Sequence, residues 1–447
     1  MTLPGTLCLA LALGVSAAAP AIEAQVIRPR PAPTRTERPG EFRGKPASDW
    51  LQALQDPSPD VQLRAVVALS QLRPVTPETV AALVQLVQGA NLQVRRRALA
   101  VLGSLGREAK GALPAVLGVI QDDDAEVRRL AASALGGVPA ETRDDRLGLV
   151  ATLLHRDDYA RDQAAHALGG LGVGAADVAP ELGRLVEHPR DPVRQAALRT
   201  LARIGPEAAL PILIPYLTHR DPAVRMWTAQ TVAGFGAAAK PAVPTLIAML
   251  GDHESRHLAL STLARLGPVS QPAIPRLIAM LDEPDPSREY RTLAARVLGQ
   301  NGPAAQAALP KLRAELAGER LVEATGRNRD ALATAIRAIA GEGDPAVDAY
   351  AERLARALSS WDPWTRAEAA RALSPLGTAA GPAIPALRRS LLTDDQPKIR
   401  ALAADALGAM GPRARVALPD LEKALADPEP AVRRQATLAI KSIGSSP

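Results

Sequence analysis

A single cysteine, Cys8, leaves no disulfide within the chain and no cysteine-built metal site. Aromatic residues make up only 2% of the chain although 47% is hydrophobic, so the apolar content is mostly Ala, Leu and Val. Sandwiches and barrels of β-strands lean on aromatic and β-branched residues, and their scarcity argues against either. Lysine is scarce too: arginine supplies most of the 53 basic residues behind the formal charge of +6. Nucleic-acid proteins show dense basic clusters with interleaved aromatics. Here the longest basic run is Arg95-Arg96-Arg97, so nucleic acid is set aside as a partner and the basicity reads as compositional bias. No G-x-S-x-G elbow and no G-x-x-x-x-G-K phosphate loop occurs.

Residues Leu7 to Ala19 form an apolar stretch of 13 residues, short for a helix that crosses a bilayer. Small residues follow, with a possible cleavage point at Ala24, although no Lys or Arg precedes Arg28. Residues 1–24 thus read as a secretory signal peptide. The expected location is secreted or periplasmic, with the cytoplasm as the alternative, and no membrane span in the mature chain. Residues 25–46 carry prolines at 29, 31, 33, 39 and 46 and read as an extended Pro/Arg-rich linker. Residues 47–447 form the folded part.

Self-comparison of that part shows a repeat. An acidic residue, a turn, an aliphatic residue, an arginine and an Ala/Leu helix recur. Examples are Asp124-Ala125-Glu126-Val127-Arg128, Asp191-Pro192-Val193-Arg194 and Asp221-Pro222-Ala223-Val224-Arg225. The marker arginine falls at 95, 128, 161, 194, 225, 256, 291, 329, 366, 400 and 433, with Gln62 in the first slot. Steps run from 31 to 34 residues and lengthen to 35, 38 and 37 around the irregular stretch Gly318 to Asn328. Each of the twelve units reads as two helices.

The first helix often opens on proline, as in Ala112-Leu113-Pro114 and Ala417-Leu418-Pro419. Proline fits there because the first turn has no acceptor for its missing N–H. Asp or Asn before the second helix can cap its free amides. That helix should end at glycine, as at Leu102-Gly103 and Leu407-Gly408, or soon after, as at Leu266-Gly267-Pro268. Positions +3, +7 and +10 from the marker, such as Ala98, Leu102 and Leu105, form one apolar stripe. A lone helix pair cannot bury that stripe, so neighbours must stack on it.

These motifs resemble HEAT repeats, and among them the short bacterial kind also found in phycobilin lyase subunits. The resemblance implies an all-α, right-handed α-solenoid of about twelve two-helix repeats. It implies that Asp124, Asp191, Asp221 and Asp362 are ladder acids along the turns. Arg128, Arg194, Arg225, Arg400 and Arg433 would be structural arginines, and Gln62 and Asn91 depart from the pattern. The second helices would line the inner surface. The implied role is a non-catalytic protein-binding scaffold without a cofactor. The alternative is an enzyme or enzyme subunit of the bilin-lyase-like or metal-dependent type.

Residues His253 to His257 spell H-E-x-x-H, a zinc signature only when it lies on one helix. The repeat register puts His253 and Glu254 in a turn and His257 at a helix start, so the two histidines would not share a face. Deoxyhypusine hydroxylase, a relative with His-Glu iron ligands, is not matched, because Leu258 follows His257. Gly170 to Ala175 fits a loose dinucleotide string but follows a helix, not a strand. His155, His188 and His219 recur before the turn acid and read as turn residues, about 10 Å apart in stacked repeats.

Positions +1, +5 and +9 lie opposite the buried stripe and should face the inner curve. Units five and six supply Gln195, Arg199, Arg203 and Gln230. Units seven and eight add His257, Arg265, Arg296 and Gln300, and unit ten adds Arg371. This basic strip suits an acidic protein or peptide segment held by charge-assisted hydrogen bonds. Trp361 and Trp364, paired in one turn, form a second candidate surface, because tryptophan is enriched at binding hot spots. The competing reading has them covering a packing defect beside the irregular stretch. Trp50 reads as a plug on the first repeat.

Overall fold

A computed structural model describes residues 41–283, 289–318 and 327–444. The leader, Cys8, most of the Pro-rich segment and most of the stretch Gly318 to Asn328 lie outside the described residues. The chain divides into two compact units, Met1–Thr79 and Val80–Pro447.

In the first unit, the end of the Pro-rich segment pairs as a small antiparallel hairpin, Glu41–Phe42 against Lys45–Pro46. Trp50 on the helix Ala47–Ala53 packs on it. Its indole N–H donates to the Phe42 carbonyl at 3.3 Å, and the two rings meet edge to face with centroids 6.4 Å apart. Gln62, in the marker slot, donates from Nε2 to the Leu54 carbonyl at 3.2 Å. It thus ties down the turn in place of an arginine.

The second unit is a chain of helix pairs. Second helices pack on second helices of adjacent repeats: Leu92–Leu105 on Ala125–Leu135, Asp158–Gly170 on Asp191–Ile204, Glu289–Gln300 on Arg327–Ala340, Pro397–Ala409 on Pro430–Gly444. Twelve second helices are present among the described residues, one for each expected unit. Packing of each unit on its sequence neighbours defines an α-solenoid. Ala98, Leu102 and Leu105 are buried, as the apolar stripe requires. A fully buried leucine such as Leu102 contributes about 1.5–3 kcal/mol relative to exposure.

Gly267 ends its helix as expected, with a φ of 61°, but two other glycines do a different job. Gly103 and Gly408 lie inside their helices, not at the ends. A side chain on Gly408 would come within 2.8 Å of the Ala439 Cα, and one on Gly299 within 2.9 Å of the Ala335 Cα. Position +8 is small there so that the next helix can lie against it. The chain turns three residues later, at Gly106 and Gly411, just past helix ends at Leu105 and Ala409; their φ of 53° and 55° favours glycine. A short 3₁₀ segment follows, Gly106–Glu108 or Gly411–Ala417, and leads towards the next first helix. That helix opens with proline at its second residue, as in Leu113–Gly118 and Leu418–Ala424.

Candidate functional site

The turns between paired helices are built by the marker arginines. Arg128 donates to the carbonyls of Asp122 and Asp123, Arg225 to those of His219 and Arg220, and Arg433 to those of Asp427 and Pro428. Arg194 and Arg400 bind their own turns in the same way, through the carbonyls of His188 and Asp394. Several markers also reach one repeat onward. Arg366 meets Asp394 at 2.8 Å, Arg400 meets Asp427 at 2.7 Å, and Arg95 pairs with Asp122. The ladder acid is therefore the residue six before the marker in these turns.

Asp124, Asp221 and Asp362 instead cap the following helix. Their carboxylates accept from the amides of Val127, Ala223 and Thr365 at 2.8, 2.8 and 2.9 Å. Asp191 lies within its helix and pairs with Arg194 of the same repeat. Asp124 alone of these four bridges repeats, through Arg96 at 2.5 Å. That guanidinium holds the Asp124 carboxyl below the usual range. The correction has a simple cause: an acid one residue before the first turn is already aimed at free amides.

The turn histidines serve the same geometry. Nδ1 of His155, His188 and His219 accepts the amide of Asp157, Arg190 and Asp221 at 3.1, 3.2 and 3.1 Å. The H-E-x-x-H string straddles a helix start, because the helix Arg256–Leu266 begins inside it. His253 meets the Tyr290 ring, and His257 lies 3.2 Å from Glu289. The glycines from Gly170 onward run into the 3₁₀ segment Gly172–Val178. Trp361 and Trp364 are 91% and 54% exposed, so they do not cover a packing defect.

The +1, +5 and +9 positions line two recesses on the open face of the second helices. The first holds about 360 Å³ and is lined by Gln195, Arg199, Trp227, Gln230, Thr231 and Arg265, with Leu198 and Ala202 below. Arg199 pairs with Asp162 at 3.0 Å, both well exposed. Arg203, outside the recess, lies 3.2 Å from His166. Arg265 has no ion-pair partner among the described residues.

The second recess holds about 520 Å³ between the helices Glu289–Gln300, Arg327–Ala340 and Pro363–Leu373. Arg296, Gln300 and Arg371 stand on its walls, and its floor is small: Gly299, Ala331, Ala335. Arg296 also lacks an ion-pair partner among the described residues. Arg371 does not: it donates to Glu368 at 2.9 Å and to Asp330 at 3.4 Å.

Asp330 is the residue that sequence reading missed. It is 8% exposed and lines the second recess with Thr334 and Ala338. These three are +1, +5 and +9 from Arg329, so the register already pointed to them. Burial pushes the Asp330 carboxyl up to about 6, against the Arg371 guanidinium and the Tyr350 hydroxyl, which oppose the shift. The Tyr350 hydroxyl donates to Asp330 Oδ1 at 3.3 Å. Burial first, and then the Asp330 charge, raise the phenol so that it keeps its proton.

A family model for HEAT repeats matches residues 47–136, 80–169, 147–233, 183–264, 210–299, 318–408 and 384–447. The chain belongs to the HEAT-repeat family. No curated protein matches it. The crystal structure of Kap121p bound to Nup53p is similar, with a TM-score of 0.56 and 14% identity over 88% of this chain and 48% of that one. Importin β is 15% identical over 89% of this chain and 63% of that one, with a TM-score of 0.44. The chain thus spans about half of the Kap121p chain and under two thirds of importin β. At these identities the likeness is one of fold. Among the described residues no helix is long and apolar enough to cross a membrane.

Proposed function

We propose that the protein is a non-catalytic scaffold whose second-helix groove holds an extended acidic segment of a partner protein. One observation carries the reading. Two recesses fall on the same register positions, and each holds an arginine, Arg265 or Arg296, with no carboxylate partner among the described residues. A guanidinium with open donors beside small apolar side chains favours a ligand carboxylate. In the first recess Gln195 and Gln230 offer amides that both donate and accept, which suits a peptide main chain. Stacked helices lie about 8–10 Å apart, close to three residues of extended chain at about 3.3 Å each. The segment that fits carries acids roughly three residues apart. The reading of residues 1–24 as a leader supports a meeting of scaffold and partner outside the cytoplasm, which envelope fractionation tests.

The test uses fluorescent hexa-aspartate and anisotropy at low salt. The double change Arg265→Glu with Arg296→Glu should weaken binding at least about tenfold, since hydrogen bonds to charged groups are worth about 1.5–3 kcal/mol each. Arg107→Glu with Arg415→Glu alters net charge equally on the 3₁₀ segments and should have little effect. Equal loss in both pairs would reduce the groove to non-specific charge attraction and overturn the reading.

A further inference from the structure

The second recess is unusual in holding its own anion. Asp330 sits nine-tenths buried in its lining, 3.4 Å from Arg371, and Arg296 of the same lining stands unpaired among the described residues. Its two present contacts are long, 3.3 Å from the Tyr350 hydroxyl and 3.4 Å from Arg371. A carboxylate has room for about four such bonds. We propose that this recess is a carboxylate site that Asp330 occupies from within: an incoming ligand carboxylate takes Arg371 and Arg296, and does so best once Asp330 carries a proton. The inference rests on the reading of the groove as a site for acidic segments, and adds to it the residue that regulates entry.

The surroundings support the direction. The helix Glu289–Gln300 brings Arg296 to the same recess, and on the helix of Asp330 itself Arg329 acts on the Tyr350 hydroxyl. The helix Pro345–Ala357 brings Tyr350, while its Arg353 donates to the Leu316 and Ala317 carbonyls, and the helix Pro363–Leu373 brings Glu368 and Arg371. On the first helix Leu309–Gly318 the charges are taken elsewhere: Lys311 by Asp282, Arg313 by Asp344, Glu315 by Arg291. The 3₁₀ segments Gly302–Ala308 and Ser374–Ala383 carry no charge. The lining thus holds two guanidiniums, Arg296 and Arg371, and one carboxylate; Glu368 holds Arg371 from outside the lining, and Asp330 is the anion inside it that competes with a ligand. A protonated Asp330 both removes that competitor and offers an O–H to the ligand.

The sign follows. An acid whose proton affinity rises when an anion binds beside it takes up a proton on binding, so affinity climbs as pH falls through about 6. Hexa-aspartate stays ionised over pH 5.5–8 on the usual Asp value of about 3.9, so the probe itself does not titrate. Wild-type protein should bind it about tenfold more tightly at pH 5.5 than at pH 8. Asp330→Asn should bind at pH 8 as the wild type does at pH 5.5 and show a flat pH course. Tyr350→Phe keeps the carboxylate but removes a bond that favours its charge, and should move the wild-type course to higher pH. Calorimetry in buffers of different ionisation heat should show proton uptake for wild type near pH 6.5 and none for Asp330→Asn. An Asp330→Asn protein with the wild-type pH course and unchanged affinity overturns the proposal. If the groove pair Arg265→Glu with Arg296→Glu still weakens binding in that case, the groove reading stands and only the role of Asp330 falls.

Discussion

The recess around Gln195 and Arg265 and the recess around Arg296 and Arg371 are built from the same positions of successive repeats, yet their electrostatics differ. The first has no acid in its lining, and its one paired arginine, Arg199, meets Asp162 outside the recess in open solvent. The second has Asp330 inside, nearly buried, with Arg371 shared between it and Glu368. A basic strip in sequence is thus not a uniformly basic groove. What a ligand meets depends on which guanidiniums are already spoken for.

The largest contrast should appear in stability. Asp330 has a folded-state carboxyl near 6 against an ordinary value of 3.8. Its ionised form therefore costs the folded state above pH 6, and the cost fades as pH falls towards 3.8. Asp330→Asn should raise unfolding free energy by roughly 3 kcal/mol at pH 7.5 and by nothing below about pH 4. Gln195→Glu, the change at an equivalent position of the first recess, should show no such window in urea unfolding.

Next come the floors. A methyl group on Gly299 meets the Ala335 backbone at 2.9 Å, whereas the first recess already has alanine, Ala202, at that position. Gly299→Ala should lower stability by about 1–3 kcal/mol and shrink the second recess. Ala202→Gly should cost about 1 kcal/mol, from helix propensity. Smaller again is Trp227→Ala, which removes the aromatic wall of the first recess. It should weaken hexa-aspartate binding by about 1 kcal/mol without touching the pH course set by the second. Smallest is Arg199→Ala: its partner is as exposed as it is, and the pair should contribute about 0–1 kcal/mol to stability.

Much of this was legible in the sequence. The marker spacing yields the repeat, and counting from it places Gln195, Gln230, Arg265, Arg296 and Gln300 beside recesses. The same count from Arg329 reaches Asp330, though its burial against Tyr350 and Arg371 depends on helices one repeat away. Other features were not legible for physical reasons. An aspartate at a turn can cap a helix or pair with an arginine one repeat away. The choice depends on where the stacked neighbour brings its guanidinium, as Asp124 against Asp221 shows. Gly103 and Gly408 look like helix stops because glycine commonly ends helices. Their real role, letting the next helix come close, involves residues about 30 further on. Whether a surface arginine is free depends likewise on neighbours distant in sequence, as Arg371 and Asp330 are.

Photo-crosslinking locates the ligand most directly. A hexa-aspartate peptide bearing a terminal photoreactive group should attach to residues on the groove face of the second helices, within 195–203, 226–234, 257–265, 292–300, 330–338 and 367–375. Attachment instead along the turns, near Asp124, Asp191 and Asp221, or scattered over both faces, would contradict the groove as the binding surface.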